Sequence, residues 1–166
     1  MITFVCSLMI LIAVSILPAA AQVVGDDAEL ARLRLKGEEA IAHDDPDGAA
    51  MMMGRAALLA AQVAKKQTGS SSIMTKANEA LFRSQEHTYR AMALFRRAGG
   101  QLPASSGVCG SLALASDSLR HAAEPVADPG AFSASDRLME QRAVLQQSVN
   151  DWTTILESMI AEYQCP

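Results

Sequence analysis

Met1 to Val24 carries no charged side chain, and its apolar stretch Phe4 to Leu17 runs into Pro18-Ala19-Ala20-Ala21. An apolar core of about 7 to 15 residues followed by small residues is the pattern of a secretory signal. Ala19 and Ala21 supply the A-x-A site, and cleavage after Ala21 leaves Gln22 as the new terminus, so residues 1–21 are read as a signal peptide. No Lys or Arg precedes the core, and the 23 uncharged residues from Ile2 to Val24 exceed the roughly 20 that cross a bilayer core. A retained membrane anchor reaching to about residue 24 is therefore the alternative. Under either reading the rest of the chain folds in an oxidising compartment, periplasmic or secreted, where cysteine pairing is expected.

Two cysteines remain beyond that segment, Cys109 and Cys165. An even pair in an exported chain reads as a disulfide. Closing a loop of more than fifty residues, it would stabilise the fold by about 4 kcal/mol through the entropy removed from the unfolded chain. No CxxC motif or neighbouring histidine suggests a metal or redox pair.

Residues 22–166 suffice for one domain with a core of its own. Aromatic residues make up only 4% of the chain, while Ala, Leu and Met abound. That balance favours helices, because pleated surfaces are built mainly from β-branched and aromatic side chains. Apolar spacing and cap residues predict helices over about 27–43, 46–67, 72–98, 107–123 and 135–163. The fold class is thus all-α: an antiparallel helical bundle of four to five helices following the export segment. Asp45 before Pro46 is an N-cap with proline at the first helical position, Gly99-Gly100 stops the third helix, and Pro125 is expected to end the fourth. The last helix carries a heptad-like seam of Leu138, Leu145, Val149, Trp152, Leu156, Met159 and Tyr163, interrupted at Arg142.

Charge is segregated by block: net −5 over residues 22–47, +6 over 55–97 and −5 over 117–162. The third helix reads as a surface helix whose polar side holds Lys76, Glu79, Arg83, Glu86, Arg90 and Arg97, with Glu79–Arg83 and Glu86–Arg90 in the favourable i, i+4 order. Its cations Lys76, Arg83, Arg90 and Arg97 form a candidate interaction face. The basic block lacks interleaved aromatics for stacking on bases, which together with export argues against a nucleic-acid partner.

His43-Asp44-Asp45-Pro46-Asp47-Gly48 is the densest run of ligand-type side chains. It misses the glutamate that a calcium loop needs at its twelfth position, and helix capping accounts for Asp45, Pro46 and Asp47. Met51-Met52-Met53 cannot converge on one ion, since successive helical side chains diverge by about 100°. His87 and His121 stand alone, and no nucleophile elbow or phosphate loop occurs, so no catalytic, metal-binding or cofactor-binding residue is assigned. Gly37-Glu38-Glu39-Ala40-Ile41-Ala42, with Asp45-Pro46-Asp47 and Ala49, resembles the junction between two tetratricopeptide-type repeats. The resemblance covers about a dozen residues without a second copy at the family's period of about 34, and it implies a helix–turn–helix and no more.

The functional expectation is a non-enzymatic binding, adaptor or structural protein of the cell envelope. Its partner would be another envelope or secreted protein, and it would touch membrane only through residues 1–24 if these are retained. The second reading is a small-ligand or metal sensor, its pocket lined by Met51 to Met53, Met74, Met92 and Trp152.

Overall fold

In the computed structural model, which describes residues 19–132 and 135–166, five helices follow one another. They are α1 Ala19–Ala42, α2 Pro46–Lys66, α3 Gly69–Arg97, α4 Ser106–Ala127 and α5 Asp136–Glu162. No strand occurs among the described residues. Residues 1–18, most of the segment read as an export signal, lie outside them, while Ala19, Ala21 and Gln22 fall in the α1 backbone.

Local chemistry sets the helix starts. The Gly48 N–H donates to the Asp45 carboxylate at 2.8 Å ahead of Pro46, and Ser135 accepts from Leu138 N–H at 3.2 Å. Ser105 caps α4 in the same way. Each cap satisfies a donor that the first helical turn would otherwise leave unpaired.

α3 is the centre of the bundle, not the surface helix expected from its charges. It packs against α2 on one side and α4 on the other; α1 adds to α2, and α5 lies on α4 and, less closely, on α3. Between these neighbours Ser84, Gln85, Glu86 and Thr88 are all buried. Small side chains permit this. Ala49, Ala56, Ala57 and Ala60 on α2, Ala77, Ser84, Thr88 and Ala91 on α3, and Ala115 and Ala122 on α4 are at most 1% exposed. Helices faced with alanine approach to the short end of the interaxial range and leave little room for aromatic rings. The scarcity of aromatics is a packing requirement here. Gly37 of α1 follows the same rule, because a Cβ there would collide with the methyl group of buried Met53.

Two apolar cores result, one among α1, α2 and α3, the other among α3, α4 and α5. Trp152 of α5 packs against both and meets Tyr89 of α3 edge to face at 5.7 Å.

α4 does not end at Pro125 but continues to Ala127. Proline removes one helix hydrogen bond, yet stopping there would withdraw Val126, which is fully buried, from the second core. The freed end is then capped from outside. Arg142 Nε donates to the Val126 carbonyl at 2.8 Å, which explains why an arginine interrupts the α5 seam.

Cys109 at the start of α4 and Cys165 just beyond α5 form a disulfide, with Cα atoms 5.4 Å apart at a sequence separation of 56. The same corner is tied by Ala104 N–H donating to the Tyr163 carbonyl at 2.9 Å and by Tyr163 stacking on Phe95 at 4.1 Å.

Candidate protein-interaction groove

α2 and α3 present heptad spacings side by side. Met51 and Leu58 lie seven residues apart on α2, Arg83 and Arg90 seven apart on α3, so each pair keeps to one side of its helix about 10.5 Å long. Between the two ridges runs an open groove of about 420 Å³ with Gly54, Arg55 and Glu86 in its lining.

Glu86 organises this groove. Its carboxylate accepts from Arg83 Nη1 at 2.9 Å and from Arg90 Nη2 at 2.6 Å, and its side chain is only 11% exposed. Gly54 makes the space: a Cβ at that position would stand 3.0 Å from the Glu86 carboxyl carbon and 3.2 Å from both oxygens. One buried carboxylate thus fixes two guanidiniums and leaves a surplus positive charge facing outward. Arg55, across the groove, has no ion pair at bonding distance among the described residues, although its charge acts on Glu29 of α1. Met51 and Leu58, which also line the groove, are 57% and 55% exposed.

The other expected face residues divide. Arg97 is bonded to Asp47 at 2.6 Å, Arg96 holds the Asp44 carboxylate and carbonyl, and Lys76 is exposed with no ion pair among the described residues. Arg96 and Arg97 therefore clamp the α1–α2 turn onto the end of α3. The His43–Gly48 run is accounted for by this clamp and by capping; His43 Nδ1 lies 2.8 Å from the Glu39 carbonyl. Among the described residues no three His, Cys, Asp or Glu side chains converge on a metal position.

The methionines do not line one cavity. Met52, Met53, Met92 and Trp152 share the first core, Met74 belongs to the second, and Met51 faces the groove. A second, smaller recess of about 230 Å³ between α4 and α5 is floored by Leu119, Ala123 and Leu156, with Ser116 and Thr153 beside them.

No known protein family, curated protein or solved structure matches the chain. Its function must be read from this geometry.

Two groups of α3 have shifted acidities. Burial pushes the Tyr89 hydroxyl up to about 12, with Glu38 of α1 adding to the effect. His87, one turn from Arg83 and Arg90, is lowered chiefly by burial; Glu86 opposes the shift and Arg90 and Arg83 reinforce it. Its Nδ1 is buried and lacks a hydrogen-bond partner among the described residues. A histidine harder to protonate when folded leaves stability intact above its unfolded value of about 6.5 and removes it as pH falls below that. We expect His87→Gln to flatten the loss of stability between pH 6.5 and 5 in urea titrations; an unchanged slope would show that other groups cause it.

Sequence reasoning placed Arg83 and Arg90 at an interaction face but missed Met51, Gly54, Arg55 and Leu58. The available signal was the i, i+7 repeat on the outer side of α2.

Proposed function

We propose that the chain is an exported, non-catalytic docking protein of the cell envelope, whose α2–α3 groove holds a helix of a partner protein. The observation that carries this is Glu86, buried beside Gly54 and pinning Arg83 and Arg90 beneath the exposed Met51 and Leu58. Side chains already fixed in position lose little entropy on binding, and Arg and Met are enriched at protein interfaces. Two antiparallel helices with seven-residue ridges offer the holes into which a third helix fits, apolar where it meets Met51 and Leu58 and acidic where it meets the arginines. The disulfide and the sequence of residues 1–21 support an oxidising, exported location.

Among the described residues no helix is long and apolar enough to cross a membrane. The groove is proposed to meet protein because its fixed arginines and exposed Met51 and Leu58 match the composition of protein interfaces, with any membrane contact left to the N-terminal segment.

The test is photo-crosslinking in exporting cells. A crosslinker at Leu58 should give a discrete adduct that Arg55→Glu reduces at least about tenfold, as expected for loss of a complementary charge. One placed at Leu114 of α4, equally exposed at 55%, should give none. No adduct from Leu58, or equal adducts from both positions, would end the docking reading.

A further inference from the structure

We infer that the helix seated in the α2–α3 groove is α5 of a second copy of this chain, so that the protein self-associates; the inference rests on the docking reading above. The observation is on the outer side of α5. Glu140, Val144, Gln147, Asp151, Ile155, Ser158 and Glu162 recur at spacings of four and three and are all exposed. Val144 is 62% and Ile155 42% exposed, large values for apolar side chains.

The repeat is eleven residues: Glu140, Asp151 and Glu162 form one series, Val144 and Ile155 the other. An eleven-residue period, about 3.67 per turn, keeps a stripe almost straight along an α-helix. The stripe is thus a continuous acidic and apolar line on a helix that buries only Leu145, Val149 and Leu156 fully.

Its chemistry is the complement of the groove. Ile155 placed over Gly54, where no side chain fills the space, would sit between Met51 and Leu58. Asp151 would then lie about 6 Å along the helix to one side and Glu162 about 10 Å to the other, within the reach of Arg55, Arg83 and Arg90. The chain as a whole is acidic, with net charge −4, so the attraction is local and comes from the basic block meeting an acidic helix. Because the groove belongs to α2–α3 and the stripe to α5, one contact leaves a groove and a stripe unused, so the assembly either closes reciprocally between two copies or propagates into a ring or a filament.

Sedimentation velocity of the exported protein from micromolar to several hundred micromolar tests this. The native chain should gain mass with concentration, less so at high salt, where exposed charges are screened. A groove variant, Arg55→Glu with Leu58→Glu, and a stripe variant, Val144→Lys with Asp151→Lys, should each associate at least about tenfold more weakly. All four positions are exposed, and circular dichroism melts will show that the folds are intact. Mixing the two variants should restore association, since each supplies the partner charge the other now needs.

A native chain that stays monomeric, single variants that associate like the native chain, or a mixture that stays monomeric would overturn the inference. A monomeric native chain that still gives the Leu58 adduct in cells would overturn self-assembly and leave docking standing. Loss of both would overturn both.

Discussion

The chain carrying Cys109→Ser and Cys165→Ser is expected to melt about 12 °C below the native protein. The bridge spans 56 positions, and releasing a loop of that length returns about 4 kcal/mol of conformational entropy to the unfolded state. For a domain of roughly 150 residues, each kcal/mol is about 3 °C in melting temperature. The loss should fall unevenly. α5 buries only Leu145, Val149 and Leu156 fully, and its far end is held by the disulfide, the Tyr163–Phe95 stack and the Ala104–Tyr163 hydrogen bond. Without the bridge, amides near the end of α5 should exchange much faster, while those of α3, packed on both sides, should remain protected. A melting temperature lowered by less than about 3 °C, with α5 as protected as α3, would mean that the docked faces hold α5 without the bridge.

The helices and the disulfide were legible in the sequence because each rests on a local or countable signal. Asp45-Pro46 marked a helix start to the residue, and the two cysteines beyond the N-terminal segment admit one pairing. Tertiary arrangement was less legible. The charges of α3 suggested exposure, but Glu86 is buried because Arg83, Arg90 and the missing side chain of Gly54 make its burial tolerable. A one-helix pattern cannot show that the space for a carboxylate comes from a glycine on the next helix. Pro125 misled for a related reason: the value of continuing the helix lies in Val126, and the cap that permits it comes from Arg142, sixteen residues on. The groove was half visible, since its arginines stood in the charged block while Met51 was read only as lining an internal pocket.

Phe132→Ala is the second large effect expected. Composition marks the stretch from Pro125 to Ser135 as a loop, yet its 3₁₀ turn, Pro129–Phe132, places a fully buried phenylalanine in the core of α3, α4 and α5. The turn is fixed by the Asp128 carboxylate, which accepts from Gly130 N–H at 2.8 Å, so the backbone cannot readily move inward to fill a gap. Truncation of a buried phenylalanine costs about 3 to 5 kcal/mol, transfer and cavity together, and here the upper half of that range is expected. Phe132→Leu keeps most of the volume and should cost less than about 1.5 kcal/mol. Denaturant titrations of the two variants separate cavity formation from a general loss of loop structure: similar costs for both would mean that the ring is not a core element. Phe132 anchors the beginning of α5 and the disulfide its end, a helix length of about 40 Å apart, so the two lesions should add. Their sum of about 8 kcal/mol approaches the whole stability of an ordinary domain. The triple variant should therefore lose α5 as a docked helix, and with it the acidic stripe proposed to engage the groove.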